Sequence, residues 1–280
     1  MPSGSIELVG VTKEYRVAGT RKIAINNVSL AIRQGEFVGL VGMNGSGKST
    51  LARLMNGLIK PTGGRVMVNG LDTGDRKALQ EIRSHVGMVF QNPDNQIISS
   101  IVEEDVAFGP ENLRLPPDEV QARVDGALQA MGLEALRRHA PHLLSGGQKQ
   151  KVAIASALAM RPDYLILDEP TSMLDPVCRQ ELLENLNRLN KQYNMTIILI
   201  SHHMEDVVQA DRLIVLDQGS VFLDGVPGDL FAETEELARV GFQPPGLVRL
   251  AHNLRKGGYE IEQGINTVQE LVEKICQLSR

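Results

Sequence analysis

The chain has 280 residues, 42% of them apolar, and its mean hydropathy of -0.11 is that of a chain that can bury a globular core and a small appended domain. Its formal net charge of -5 provides no basic excess, so nucleic acid is not expected as a partner. No run approaches the roughly 18 apolar residues of a membrane-spanning helix, the first residues carry no export signal, and Cys178 and Cys276 lack metal-ligand spacing, which together predict a reduced cytoplasmic chain.

The first predicted elements are short β segments at residues 6–11 and 28–32, in which alternating apolar and polar residues place one face inward. Residues 37–41 are apolar throughout, as is typical of a strand buried on both faces of a parallel sheet. Comparable runs recur at residues 164–167, 196–200 and 213–216. Because helical stretches separate these runs, the chain is predicted to have an α/β fold.

Helical patterns replace the strand patterns between about residues 95 and 160, which predicts a helical insertion. Within it, Asp118 is predicted to open a helix that ends at Gly132. Farther along the chain, Asp175 and Pro176 have the residue types of a helix N-cap and a first helical position.

The C-terminal part of the chain shows turn and linker signals. Gln218 and Gly219 predict a hairpin turn, and residues 242–246, with two prolines and a glycine, predict a linker. Residues 267–270 have the pattern of a capping box ahead of an apolar-periodic segment. These signals predict a main domain over residues 5–240 and a small folded appendage over residues 241–280.

The most specific motif is a glycine-rich loop that follows the strand at residues 37–41 and precedes a helical segment. Its residues are Gly42, Met43, Asn44, Gly45, Ser46, Gly47, Lys48, Ser49 and Thr50, with the spacing of a P-loop. In such a loop backbone N–H groups bind phosphate oxygens, while Lys48 adds a positive charge and the Ser49 hydroxyl reaches Mg²⁺. The motif predicts a nucleotide with Mg²⁺; a glycine-rich loop that binds nothing is the alternative.

Two adjacent carboxylates, Asp168 and Glu169, follow the apolar run at residues 164–167. At the end of a strand near a P-loop, the first would reach the Mg²⁺ shell and the second the attacking water. Without the P-loop, a helix cap or a solvated turn would explain the pair equally well. The two motifs together therefore favour nucleotide hydrolysis.

Residues 144–148, Leu144-Ser145-Gly146-Gly147-Gln148, narrow the class of nucleotide-binding protein. The segment resembles the signature loop of ATP-binding-cassette ATPases and lies, as in that family, between the P-loop and the carboxylate strand. The resemblance covers roughly residues 5–235 and implies a P-loop NTPase with a RecA-like core, an antiparallel β subdomain and a helical subdomain. Considered by itself, Ser145 is a helix N-cap followed by flexible glycines, and both interpretations can hold.

Further positions are similar to motifs of the same family. Tyr15 resembles the aromatic residue that stacks on adenine, and Gln91 resembles the Q-loop glutamine that links Mg²⁺ and water to a membrane partner. Asp175 lies in a segment like the D-loop, and His202 resembles the switch histidine that contacts the γ-phosphate, although a lone histidine is more often structural. In this family Glu169 acts on water, and the signature residues face ATP held by a second ATPase. The resemblance thus implies an ATPase dimer with ATP between its subunits.

Two positions depart from the family pattern. His203 stands where the family usually has aspartate, and Lys151 where it often has arginine. Lysine cannot reproduce the planar guanidinium fork, so any bidentate contact that relatives make there is in doubt. Neither departure touches the predicted chemistry.

Residues 91–96 and 102–113 resemble more narrowly the first of the paired ATPases of energy-coupling-factor importers, which are related to cobalt importers. The resemblance implies a peripheral protein at the cytoplasmic face of the cell membrane that couples ATP hydrolysis to uptake of a vitamin or a transition metal. Its implied partners are a second ATPase, a transmembrane coupling protein and a substrate-binding membrane protein. The acidic residues Asp94, Glu103, Glu104 and Asp105 would pair with arginines of the coupling protein, or else form a solvated helix start.

Other interpretations remain open. A soluble cassette ATPase of iron-sulfur cluster assembly would also lack membrane spans, and an ATPase of another importer class would share every motif. A chromosome-maintenance cassette is disfavoured because the interval from Ser49 to Leu144 is too short for a coiled coil. The tail after Pro245 would either hold two ATPases together or cap the domain passively.

Overall fold

The computed structural model describes residues 4–17, 19–261 and 268–278. Its strands are, in chain order, β1 (Ser5–Val17), β2 (Thr20–Arg33), β3 (Phe37–Val41), β4 (Gly63–Val68), β5 (Leu71–Asp72), β6 (Val86–Val89), β7 (Tyr164–Asp168), β8 (Thr196–Ser201), β9 (Arg212–Asp217) and β10 (Ser220–Gly225). Its α-helices are α1 (Lys48–Met55), α2 (Leu79–His85), α3 (Val102–Asn112), α4 (Pro117–Met131), α5 (Gly146–Ala159), α6 (Pro176–Tyr193), α7 (Pro227–Ala232), α8 (Thr234–Arg239), α9 (Gly246–Lys256) and α10 (Val268–Leu278). Short 3-10 helices occupy Pro93–Asn95, Glu134–Leu136, Pro141–Leu143 and Met204–Val207.

Six strands form the central sheet in the order β10-β9-β3-β8-β7-β6. Its strands pair in parallel except for β10, which is antiparallel to β9. The runs predicted as buried strands correspond to β3, β7, β8 and β9, and every residue of β3, β7 and β8 is buried. The α/β prediction is therefore confirmed.

The side chains of β3 pack on both faces of the central sheet. Successive residues of a strand point to opposite faces, so Phe37 and Val41 enter one apolar cluster while Val38 and Leu40 enter another. The first cluster joins the sheet to helices α3 to α6, and the second joins it to α1, β1, β2 and β4. The middle residue is Gly39, where a Cβ would stand 2.6 Å from the Cβ of Val207. Both faces of β3 are therefore covered by apolar side chains, which explains why the strand is apolar throughout.

A second, antiparallel sheet has the strand order β2-β1-β4-β5 and covers the second cluster. The segments predicted at residues 6–11 and 28–32 lie in β1 and β2, but both strands continue beyond those ranges. The continuation is a hairpin whose backbone pairs up to Val17 and Thr20. Apolar alternation does not indicate this hairpin, because its residues are largely charged or exposed.

Helix boundaries follow local capping chemistry. The predicted helix at Asp118 begins one residue earlier, at Pro117, because proline with its fixed φ suits the first helical position. Gly132 ends that helix with a φ of 65°, as predicted. The Asp175 side chain accepts hydrogen bonds from the N–H groups of Val177 and Cys178 and caps α6, which confirms the second prediction.

The turn between β9 and β10 has φ values of 45° at Gln218 and 80° at Gly219. Both values lie in the left-handed region, which is the geometry of a two-residue hairpin turn. Asp217 and Ser220 pair directly across it, so the predicted hairpin is confirmed.

Residues 242–245 have no regular secondary structure, as expected of a linker, whereas Gly246 already begins α9; the segment is nevertheless well packed. Phe242 is 6% exposed and belongs to the first apolar cluster, and Pro244 and Pro245 are also buried. Beyond them, α9 and α10 pack around Ala251, Ile261 and Leu271. The capping residue predicted at Thr267 lies outside the described residues, and the boundary between residues 240 and 241 stays a prediction.

Within the described ranges, none of the helices combines the length and the apolar character needed to cross a membrane.

Candidate active site

The glycine-rich loop joins β3 to α1 and folds tightly against two strands. A Cβ on Gly42 would lie 2.3 Å from Ser46 Oγ and 2.5 Å from the carbonyl oxygen of Leu216 in β9. Gly47 has a φ of 110°, and a Cβ there would lie 2.5 Å from the carbonyl oxygen of Ala24 in β2. Glycine is therefore required at both positions by close approach of the backbone.

We expect Gly42→Ala to weaken Mg-ATP binding at least about tenfold, because the added methyl group must displace the loop from its strands. Overpacking of this kind also costs about 1–3 kcal/mol of folding free energy. Gly126→Ala is the matched control, since no atom lies within 4 Å of its Cβ position on α4. Titration calorimetry and thermal unfolding measure both effects, and Mg-ATP binding by Gly42→Ala equal to that of the unmodified protein would contradict this role of the loop.

Lys48 is enclosed by the same loop, with only 5% of its side chain exposed. Its Nζ donates hydrogen bonds to the carbonyl oxygens of Gly42 at 2.6 Å and Met43 at 3.2 Å. Burial lowers the pKa of Lys48, while the nearby carboxylates of Glu169 and Asp168 act in the opposite direction. The Lys48 ammonium group is thus held in place and partly stripped of water, and the oxygens of a bound phosphate could take the place of that water.

The Ser49 hydroxyl donates a 3.0 Å hydrogen bond to Asp168 Oδ1 at the end of β7. Burial raises the pKa of Asp168, and the hydrogen bond from Ser49 partly offsets this. In the same glycine-rich loop, Ser46 Oγ is buried and has no hydrogen-bond partner among the described residues. A hydroxyl, a carboxylate and an ammonium at one strand end fit a nucleotide with Mg²⁺, which prefers oxygen ligands shared with phosphates.

The carboxylate of Glu169 is the point at which four separate segments meet. Gln91 Nε2 donates to Glu169 Oε2 at 2.8 Å, and His202 Nδ1 lies 3.5 Å from the same oxygen. Lys48 Nζ lies 3.9 Å from Glu169 Oε1. Glu169 itself has a φ of 52°, and its N–H donates to the carbonyl oxygen of Ile200 in β8. The structure thus brings together the three residues predicted as catalytic: Glu169, Gln91 and His202.

Other predicted residues occupy the rim of the loop or a neighbouring sheet. Met43, Asn44 and Gly45 are exposed, while Thr50 is half-buried in the first turn of α1. Tyr15 lies on β1, and the ammonium of Lys13 stands 5.3 Å from the centre of its ring. Its role in adenine stacking stays a prediction.

The signature segment lies at the start of α5. Ser145 Oγ accepts a hydrogen bond from the Gln148 N–H, and the Gln148 side chain accepts one from the Ser145 N–H, which forms a capping box. A Cβ on Gly147 would contact Leu174 and Cys178 at 3.4 and 3.5 Å, so the segment packs beside the predicted D-loop. Among the described residues, no hydrogen bond or ion pair joins it to the P-loop of the same chain.

The acidic run after Gln91 is only partly available to a partner. Asp105 is 4% exposed and accepts hydrogen bonds from the Ile98 and Ser99 N–H groups and from the Ser156 hydroxyl, so its predicted pairing with a partner's arginine is wrong. Asp94 pairs with Lys149 at 2.7 Å, Glu103 pairs with Arg137 at 3.1 Å, and Glu104 is exposed.

The two departures from the family pattern have identifiable surroundings. Lys151 Nζ forms an ion pair with Glu181 at 2.9 Å, a contact made through one donor. The rings of His202 and His203 have centroids 4.0 Å apart, and burial lowers the pKa of His203. A short 3-10 helix follows, and its Asp206 is a buried carboxylate that no sequence motif had marked.

Comparisons with known proteins agree with this geometry. A family model described as ABC transporter matches residues 25–172. The chain is 51% identical over 259 residues to the energy-coupling factor transporter ATP-binding protein EcfA1 of Clostridium perfringens, covering 92% of each. It is similar in structure to cbiO1 of Clostridium perfringens, described as part of the ABC transporter complex cbiONQ, with a TM-score of 0.76, 38% identity and coverage of 89% of this chain and 98% of that one. The ATP-binding cassette MJ0796, solved as a dimer after hydrolysis with ADP and Pi, gives a TM-score of 0.73 and 33% identity over 79% of this chain and 98% of its own.

Proposed function

The chain belongs to the ABC transporter family as an ATP-hydrolysing subunit, and we propose that it drives an energy-coupling factor importer for a vitamin or a transition-metal micronutrient. The observation that carries the proposal is the convergence of Lys48, Gln91 and His202 on the carboxylate of Glu169 beside a P-loop. An ATPase needs a positive charge for the γ-phosphate and a base for the attacking water, and this cluster contains both.

In the proposed site, the backbone N–H groups of residues 42–47 and the Lys48 ammonium bind the phosphates, and Tyr15 stacks on adenine. Ser49, Gln91 and Asp168 would hold Mg²⁺, which neutralises charge on the phosphate oxygens when bound. Glu169 orients and polarises the attacking water for in-line displacement of ADP.

The neighbours of Glu169 keep that carboxylate in place and act on the γ-phosphate. His202 lies on the side of Glu169 Oε2 and donates to the γ-phosphoryl oxygens as charge develops on them. Gln91 holds the same oxygen at 2.8 Å, so movement of the segment after Gln91 would release or restrain the base. Through the hydrogen bond between Gln91 and Glu169, a partner that binds the segment after Gln91 would affect the rate of hydrolysis.

A second ATPase completes each site in this proposal. Residues 145–148 pack beside Leu174 of the D-loop and are not bonded to their own P-loop within the described residues. The N–H groups of Gly146 and Gly147, which take no part in the capping box, would therefore serve a nucleotide held elsewhere. The dimer of the MJ0796 cassette supports a pair of this kind. The partner would be an identical chain or a paralogue, and the tail over residues 241–280 would hold the pair together.

The surface proposed to face the membrane partners is a groove of about 760 Å³ beside α3, which is lined in part by Glu103, Glu104, Phe108, Glu111 and Val120. Phe108 is 49% exposed although it is a large apolar residue. A groove lined by both apolar and acidic side chains suits a partner helix that carries arginines. We assign this groove to the transmembrane coupling protein, with the substrate-binding membrane protein beyond it, and place the chain at the cytoplasmic face of the membrane.

We expect two integral membrane proteins to copurify with the tagged chain from detergent-solubilised membranes of cells that express the whole transporter. Phe108→Glu should reduce their yield about tenfold or more, because burying a phenylalanine contributes about 1.5–3 kcal/mol. Val226→Glu is the matched control, since Val226 is 56% exposed but lies after β10. Recovery of a soluble scaffold protein in place of membrane proteins would instead support iron-sulfur cluster assembly.

A further inference from the structure

Asp206 has a fully buried side chain, with 0% exposed, although it is a carboxylate. Its Oδ2 accepts hydrogen bonds from Thr171 Oγ1 and Ser201 Oγ, both at 2.7 Å. Its Oδ1 accepts a hydrogen bond from Arg179 Nε at 2.6 Å. Both oxygens are thus held by donors from three different segments of the chain.

Each donor lies close in sequence to a residue of the proposed site. Thr171 is two residues after Glu169, and Ser201 immediately precedes His202. Arg179 lies in the first turns of α6, whose N-terminus is the predicted D-loop. The Ser201 hydroxyl also accepts a hydrogen bond from the His203 N–H at 3.0 Å, which fixes the backbone on the far side of His202. One carboxylate therefore ties the loop of the base to the loop of the histidine.

Stability alone does not require a carboxylate in this position. A buried ion pair gains little over well-packed apolar residues, because both charges lose their hydration. What a carboxylate with three donors adds is a fixed geometry. Such a restraint is needed here because Glu169 has a φ of 52°, a conformation that persists only when its surroundings hold it.

We propose that Asp206 is a positioning residue for ATP hydrolysis, which sets Glu169 and His202 at the separation that the reaction needs. The inference rests on the proposed ATPase site and adds to it Asp206, a residue that belongs to none of the motifs described above. Because the Asp206 side chain is fully buried and bonded to Thr171, Ser201 and Arg179, it is not among the proposed nucleotide contacts, so its loss should lower kcat and leave the KM for ATP unchanged. A displacement of about 1 Å in a catalytic group can cost about 100-fold in rate, and Asp206→Asn should approach that loss.

The sharpest test uses two variants of Thr171 in the assembled transporter. Thr171→Val keeps the shape of the side chain and removes the hydroxyl, whereas Thr171→Ser keeps the hydroxyl and removes the methyl group. We expect Thr171→Val to lower kcat roughly five- to tenfold with unchanged KM, and Thr171→Ser to stay within about twofold of the unmodified protein. Asp224→Asn, which breaks the remote pair between Asp224 and Arg212, controls for loss of an arginine partner.

The alternatives give different results. Equal losses of kcat in both Thr171 variants would mean that Thr171 acts through side-chain packing and not through its hydroxyl, which would overturn the inference. An unchanged kcat in Thr171→Val, or a change in KM without a change in kcat, would overturn it as well. Glu169→Gln is measured alongside: if it keeps normal turnover, the proposed active site fails, and the positioning role fails with it. If Glu169→Gln is inactive while Thr171→Val and Asp206→Asn are normal, only the positioning role is wrong.

Discussion

Glu169→Gln is expected to lower ATP turnover by the assembled transporter at least about 100-fold, because removal of a general base costs that much or more. The substitution keeps the size of the side chain and its backbone contacts, but an amide cannot accept a proton from water. ATP binding should be retained, since one negative charge near the triphosphate is removed and Lys48 keeps its place between two carbonyl oxygens. Phosphate release measures the first effect, and equilibrium binding of a fluorescent ATP analogue measures the second.

Glu181→Gln serves as the control for this result. Glu181 lies on α6 and forms an exposed ion pair with Lys151, and such surface pairs contribute about 0–1 kcal/mol. Its loss should leave both turnover and ATP binding nearly unchanged. Normal turnover in Glu169→Gln would mean that the base lies elsewhere and that the cluster around Glu169 has another purpose.

The strands and loops that the sequence predicts well are those whose residue types mark them within one short segment. A run such as residues 37–41 is apolar because both faces of β3 are covered, and the glycines of the P-loop are required by backbone approach. The relatives and the family model confirm the resemblance to ABC transporter ATPases that those motifs indicate. The order of the motifs along the chain was therefore sufficient to predict the fold class.

Long-range polar contacts could not be predicted in the same way. Asp206 is bonded to side chains up to 35 residues away in sequence, and no spacing rule relates it to Thr171. The burial of Asp105, by contrast, can be predicted from helical spacing, because Asp105 shares a face of α3 with the buried Val102 and Val106. The acidic run does not form one surface, because the helical period of α3 divides it into an exposed and a buried part.

Ser145→Asp is expected to abolish most ATP turnover without destabilising the protein. Aspartate is as good a helix N-cap as serine and suits the positive end of the α5 dipole, so the capping box should persist in a similar form. If the signature segment faces the γ-phosphate held by the partner ATPase, the new carboxylate replaces a hydrogen-bond donor by a like charge. Loss of one such donor alone costs about 100- to 1,000-fold in rate, and the repulsion adds to it.

Ser145→Asn separates charge from shape, because asparagine is a comparable cap with the same size as aspartate and no charge. We expect its turnover to lie well above that of Ser145→Asp, with the two unfolding temperatures nearly equal. Photolabelling of this chain by an azido-ATP should be unchanged in both, since its own P-loop lies outside the substituted segment. Lys48→Ala should lose both labelling and turnover. Loss of labelling in Ser145→Asp would mean that the signature acts on its own subunit's nucleotide, and full turnover in that variant would leave the segment as a helix cap alone.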